Sequence, residues 1–372
     1  MKKRFLSIIL AALFVFPYFA VSAAEWCEIS LPSTIYGVVG YEMNVYFDNV
    51  IMCNDLTDYQ IAVECSKGMK QENRWTYTPQ EAGSFSLKIT VYKNGGEVSS
   101  AQTTVRVRST AGTGDKKVLF IGDSWTDGVY YPGFTIGIPK ELAQWRFADD
   151  GDNIQLVGTI NGWGNENIWL EGRSGWTTEN YCHNSTASGR DDQHKNNPFY
   201  NSASGKFDFS YYLDKNSIAT PDVVIIFLGI NDAGQGISNE RSIANFNAMI
   251  SSIHSVSDSI EIGIVLTPPP GGTRDGFGAR NLCGTTRFMH KYKAFNLMKA
   301  IIDNFDGGKV SNVSVVPVNV NVDCIGKYET EEVPANAYTT VTVKRLKDNV
   351  HPSAAGYIQV ADSMYAFIKS LF

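Results

Sequence analysis

From Ser84 to Lys93 apolar and polar residues alternate, with Phe85, Leu87, Ile89 and Val91 on one side, and Asn94-Gly95-Gly96 follows. A period of two marks a half-buried strand, and Asn-Gly-Gly supplies the positive-φ positions of a hairpin turn. The return strand carries Val105 and Val107, and the earlier runs Val45-Tyr46-Phe47 and Ile61-Ala62-Val63 are short and bounded by Asn and Asp. Residues 25–108 are therefore predicted to form a small all-β sandwich domain. Residues 109–115, with an Ala-Gly-Thr-Gly core, read as a linker. Beyond it the texture changes. Val118 to Ile121, Ile154 to Val157, Val223 to Leu228, Ile260 to Leu266 and Val313 to Val318 are continuous apolar runs, the pattern of strands buried on both faces of a parallel sheet. Helical stripes lie between and after them: Ile243, Phe246, Ile250 and Ile253; Phe288, Tyr292, Phe295 and Ile302; and Tyr357, Ala361, Met364, Ile368 and Leu371. Five strands alternating with helices predict a doubly wound α/β domain over residues 116–372.

In such sheets ligands bind at the carboxyl ends of the strands, and polar motifs stand there. The first strand runs into Gly122-Asp123-Ser124-Trp125 and the third into Gly229-Ile230-Asn231-Asp232, while Asp348-Asn349-Val350-His351-Pro352 precedes the last helix. A serine hydroxyl needs an adjacent base to become a nucleophile. His351 is the candidate base. Asp348, three residues earlier, can hold its far ring nitrogen and stabilise the imidazolium. The backbone N–H groups of Ser124 and Gly172 and the side-chain amide of Asn231 are candidate oxyanion donors. Each residue has a plainer role open to it: Ser124 as a helix cap, Asn231 and Asp232 as turn formers, Asp348 and Pro352 as a helix start that leaves His351 on the surface. Asp123 and Asp232 read as structural, tying their loops by hydrogen bonds. No Gly-x-Ser-x-Gly, Walker A, Gly-x-Gly-x-x-Gly or His-Glu-x-x-His occurs, and nothing in the chain points to a metal or organic cofactor.

The ends and the charge set the compartment. Lys2, Lys3 and Arg4 precede the apolar run Phe5 to Ala20 and the small residues Val21-Ser22-Ala23-Ala24, the form of a signal peptide. Residues 1–24 are expected to be removed and the protein to be secreted or periplasmic, with no membrane span afterwards. The net charge of −6 argues against nucleic acid or an anionic membrane as partner. Cysteines stand at 27, 53, 65, 182, 283 and 324 without a C-x-x-C pair. That spacing disfavours a zinc or thioredoxin-like site, and an exported chain permits disulfides; Cys283 with Cys324 is one expected pair. Oligomeric state is not legible.

The three motifs, in this order, resemble those of the SGNH or GDSL hydrolases: Gly122-Asp123-Ser124, Gly229-Ile230-Asn231-Asp232 and Asp348-Asn349-Val350-His351. The family's second-block glycine matches Gly172, with Gly175 as the alternative, and Trp125 stands where the name-giving Leu would be. The resemblance spans residues 116–372. It implies a flavodoxin-like five-stranded parallel sheet, a serine-esterase mechanism on Ser124, His351 and Asp348, and an oxyanion hole from Ser124, Gly172 and Asn231. It says nothing of the Ig-sized N-terminal domain, read as a spacer in preference to a glycan-binding module.

Trp125, Trp163, Trp169 and Trp176 cluster around the first two blocks. Aromatic faces suit sugar rings, so Trp125 and Trp176 are candidate substrate contacts, with packing against the sheet as the other reading. The stretch Thr159 to Gly205 is rich in Gly, Asn and Ser and has no apolar run to line an acyl tunnel. The expected substrate is an acylated glycan or other small ester, with acetyl the expected acyl group. A lipase or acyl-thioesterase of the same family and a non-catalytic glycan-binding or adhesion protein are the alternatives.

Overall fold

A computed structural model describes residues 26–372 apart from 113, 132–133, 138–139, 141, 143–152, 163–166, 186–195 and 274–284. The expected signal peptide lies outside these residues.

The N-terminal region holds β1 (Cys27–Ile29), β2 (Thr34–Val38), β3 (Met43–Tyr46), α1 (Phe47–Val50), β4 (Ile51–Cys53), β5 (Gln60–Cys65), β6 (Met69–Lys70), β7 (Arg74–Tyr77), β8 (Gly83–Lys93) and β9 (Gly96–Arg108). Leu87, Ile89 and Val91 of β8 are fully buried, as the period of two requires. Asn94 and Gly95 have φ of 52° and 80°, the left-handed pair of a type I′ turn that reverses β8 into β9. A four-stranded sheet in the order β2-β9-β8-β5 and a three-stranded sheet β3-β7-β6 enclose a core of Val45, Phe47, Trp75, Leu87, Ile89, Val105 and Val107.

The C-terminal region is α/β. Its sheet contains β10 (Lys116–Gly122), β13 (Ile154–Val157), β14 (Ile160–Asn161), β15 (Trp169–Gly172), β18 (Val223–Phe227), β19 (Glu261–Val265) and β20 (Val313–Val316); short hairpins elsewhere are β11 (Val129–Tyr131) with β12 (Phe134–Ile136), β16 (Tyr200–Asn201) with β17 (Lys206–Phe207), and β21 (Thr330–Pro334) with β22 (Thr342–Leu346). β13, β10, β18, β19 and β20 are adjacent and parallel in that order, so the chain reverses direction of winding beside β10. Five parallel strands were expected; β15, parallel to the end of β10, and β14, antiparallel to β15, extend the sheet to seven.

Alternate residues of the strands feed two cores. Val118, Phe120, Val223, Ile225 and Phe227 face α9 (Ala354–Ser370), which contributes Tyr357, Val360, Met364 and Phe367. Leu119, Ile121, Val224 and Ile226 face α6 (Asn239–His254) and α7 (Arg287–Phe305), through Phe246, Met249, Phe295 and Met298. The stripe expected on α7 is rotated: Phe288 and Tyr292 are exposed, and Phe295, Met298, Ile301 and Phe305 are buried.

The N-terminal sheets pack on this region directly and do not stand off as a spacer. Val38 joins the α9-side core and Met52 the α7-side core, while Val320 enters the N-terminal core. Tyr36 and Tyr41 make edge contacts with Phe367 and Tyr365. The Asn49 amide donates to Asn319 O and Val322 O at 2.8 and 2.7 Å. These donors satisfy carbonyls at α8 (Val318–Asn321) that burial would otherwise leave unpaired.

Candidate active site

Ser124 begins α2 (Ser124–Asp127) at the carboxyl end of β10, and Asp123 caps that turn by accepting from Trp125 N at 3.0 Å. Burial pushes the Asp123 carboxyl up, to about 7, against the opposing hydrogen bond from Trp125 N. Its second oxygen accepts from the Asn231 amide at 3.2 Å, and the same amide donates to Trp176 O at 3.0 Å. Asn231 lies in α5 (Ile230–Gln235), directly after β18. Its side chain is therefore fixed by the first motif and by the loop after Gly172.

The loop before α9 brings the third motif in. Asp348 Oδ1 accepts from Val350 N at 2.8 Å and His351 N at 2.9 Å, closing a tight turn that aims both side chains together. Asp348 Oδ2 lies 2.9 Å from His351 Nδ1, and His351 Nε2 lies 2.7 Å from Ser124 Oγ. Burial alone would raise the Asp348 carboxyl. The hydrogen bond and charge of His351 and the two backbone N–H groups outweigh it and hold the group at about 2. An ionised Asp348 places the proton on Nδ1 and leaves Nε2 free to accept the serine proton. Ser124 is only 9% exposed, so the reacting carbonyl has to enter a recess.

Gly172 ends β15 opposite Gly122. A Cβ there would meet Asp127 N at 2.3 Å and Asp127 Cα at 2.7 Å, so only glycine lets β15 lie against α2. Gly175 serves another end: its φ of +81° makes the turn in which Trp176 N donates to Arg173 O. Asp232 is fully buried and accepts from Thr178 N, Thr178 Oγ1 and Ser242 Oγ, tying α5 to α3 (Thr178–Cys182) and α6.

The expectation that Trp125 and Trp176 contact substrate needs correction. Both are buried, at 0% and 1% exposure. Trp125 packs on Phe227 and Tyr357, and Trp176 on Tyr181. α9 closes over the end of β18, so the first turn after β10 lies inside the core. Trp169 is partly exposed; Trp163 lies outside the described residues.

Two supporting groups went unread in the sequence. Glu171 and Arg173, on either side of Gly172, form a buried ion pair at 2.8 Å. Glu171 also accepts from Tyr212 Oη of α4 (Phe209–Asn216) and from Thr159 N, both at 2.7 Å. Two opposite charges in an otherwise apolar stretch were the available signal. The other group belongs to the first turn of α7. Arg287 Nε donates to Gly271 O at 2.9 Å, and Gly271 N donates to Asn349 O at 2.9 Å, inside the Asp348–His351 turn. Arg287 and Lys291 both bind Asp48 of the N-terminal region, at 2.5 and 2.7 Å. One helical turn thus braces the loop that carries His351.

Residues 120–289 match the profile of the GDSL-like Lipase/Acylhydrolase family. Over this segment the chain resembles a GDSL-like acylhydrolase domain. In fold the chain is similar to a family 3 carbohydrate esterase from Talaromyces cellulolyticus, at 15% identity over 69% of this chain and 97% of that one, with a TM-score of 0.42. It is likewise similar to a family 3 carbohydrate esterase from Clostridium thermocellum, at 17% identity over 69% and 97% of the two chains, with a TM-score of 0.39. No curated protein matches the chain. The matched segment holds Ser124, Gly172 and Asn231 and ends before Asp348 and His351, which the fold returns to Ser124. No helix among the described residues is long and apolar enough to cross a membrane.

Proposed function

We propose that the protein is an exported serine esterase that removes short acyl groups, acetyl above all, from polysaccharide. The observation that carries the reading is the continuous relay from Ser124 Oγ through His351 to Asp348, at 2.7 and 2.9 Å. In this reading Ser124 Oγ attacks the ester carbonyl as its proton passes to His351 Nε2. The oxyanion takes hydrogen bonds from Ser124 N–H, Gly172 N–H and the Asn231 amide, which gives up its bond to Trp176 O as the charge develops. Collapse of the intermediate expels the sugar hydroxyl, which recovers the proton from His351. Water then attacks the acyl-enzyme by the same base, and acetate leaves.

The recessed Ser124 favours a small acyl group. The polar, glycine-rich stretch from Thr159 to Gly205 and the leader-like residues 1–24 favour a glycan alcohol over a lipid. A lipase gains about 0.8 kcal/mol for each methylene it buries, so its kcat/KM rises with chain length. Here kcat/KM on aryl esters is expected to fall from acetyl to butyryl, and acetylated xylan or pectin fragments are expected to outperform triglyceride. A series that climbs through octanoyl would overturn the glycan-deacetylase reading and leave a serine esterase of another substrate class.

A further inference from the structure

Cys27 and Cys53 are register partners across the antiparallel pair β1–β4, followed by Glu28 with Met52 and Ile29 with Ile51. The same register continues to Ser30 and Val50, where Ser30 N donates to Val50 O at 2.9 Å. Antiparallel partners alternate between hydrogen-bonded and non-hydrogen-bonded pairs. Ser30–Val50 and Glu28–Met52 are therefore of the first kind, and Ile29–Ile51 and Cys27–Cys53 of the second. Ile29 N supports the parity: it points away from β4, to Ser99 Oγ at 3.3 Å. In a non-hydrogen-bonded pair the Cα atoms lie about 4.5 Å apart with both side chains on one face, within the separation a disulfide spans.

The two thiols are neighbours, each perturbing the titration of the other. Other described cysteines are occupied elsewhere: Cys182 Sγ donates to Asn245 O at 3.5 Å, Cys324 Sγ donates to Pro269 O at 3.3 Å, and Cys65 stands opposite Leu87 in β5. Among the described residues no group of three or more His, Cys, Asp or Glu side chains could hold a metal ion, so the pair is not part of such a cluster.

We propose that Cys27 and Cys53 form a structural disulfide. The co-reactant is a disulfide, small or protein-borne. One cysteine thiolate attacks it, releasing one thiolate and leaving a mixed disulfide. The second cysteine thiolate then attacks the protein sulfur of that bond and expels the other thiolate. Both cysteines are oxidised, one external disulfide is reduced to two thiols, and the two cysteine protons go to those thiols. Burial raises both thiols, Cys53 to about 12, so few thiolates form once the sheet has closed. The bridge forms as the chain folds and is shielded afterwards. It closes a loop of about 25 residues that includes Asp48 and Ile51, the N-terminal partners of Lys291. The link thus pins the start of the chain to the stretch that meets α7. It does not depend on the ester chemistry.

The test is a peptide map of the full chain refolded in a mixture of reduced and oxidised glutathione, then unfolded in alkylating agent without reductant. The expected result is one species joining the Cys27 and Cys53 peptides, about 2 Da below their summed mass, with neither residue alkylated. In the Cys27→Ser variant Cys53 should become fully alkylated. Alkylation of both residues in the unreduced natural chain, or a link from either to Cys65 or Cys283, would overturn the proposal.

Discussion

Ser124, Asn231, Asp348 and His351 come together from two strand ends and the loop before α9; the first and third motifs tie their own turns, while Asn231 is held by Asp123 and Trp176 O. That local self-sufficiency is why these residues were legible in the sequence: a short motif at a strand end carries its turn, its cap and its reactive group together. Asn231 offers the sharpest residue-scale prediction. Its two amide hydrogens rest on Asp123 and Trp176 O, so in the proposed mechanism one of these bonds is exchanged for one to the oxyanion, and Asn231→Ala removes that donor. Steady-state kinetics on an aryl acetate should show kcat lower by roughly a hundred- to a thousandfold, the cost of one oxyanion donor, with KM nearly unchanged. A deficit confined to KM would make Asn231 a substrate-positioning residue. The indoles were misread because a ring after a strand end is as free, on sequence alone, to turn under a neighbouring helix as to face a cleft. Trp125 turns under α9, against Tyr357. The pairing expected for Cys283 with Cys324 falls partly outside the described residues; Cys324 Sγ donates to Pro269 O.

Among the elements, α7 does more than its sequence announces. Its exposed Phe288 and Tyr292 occupied the expected apolar stripe, while Arg287 and Lys291 reach Asp48, more than two hundred residues earlier in the chain. No periodicity marks a contact of that separation. Burial alone would raise the Asp48 carboxyl, but Lys291 and Arg287 outweigh it and hold the group at about 2. A folded-state value below the unfolded one means stability that is complete above the ordinary carboxylate range and lost as pH falls towards 2. Asp348, also held at about 2, contributes in the same window. The urea midpoint of the natural chain should therefore drop between pH 4 and 2, and Asp48→Asn should be less stable at pH 6 with a shallower drop below pH 4. Equal slopes for the two proteins would show that Asp48 is not held down in the fold. At neutral pH, Asp48→Ala leaves two nearly buried cations without their carboxylate and should cost about 3–5 kcal/mol.

At the scale of the whole molecule the alternation of apolar runs and helical stripes predicted the α/β layer well, because each element there satisfies its own period. The union of the two regions was not predicted. It is made by single residues, Val38, Met52 and Val320, that belong to one region by sequence and to the other by packing. Expressed alone, residues 116–372 should aggregate or unfold at lower urea than the full chain, since the faces around Phe367, Tyr365 and Val320 lose their cover; a fragment of unchanged stability would contradict that union. The central claim is nucleophilic catalysis by Ser124 with His351 as base. Its most direct measurement is the site and stoichiometry of labelling by an aryl fluorophosphonate, read by intact mass and peptide mapping. One adduct per chain on Ser124 is predicted, absent in Ser124→Ala and strongly slowed in His351→Ala, with esterase activity lost in step. An unlabelled Ser124, together with full ester hydrolysis by Ser124→Ala, would contradict the account.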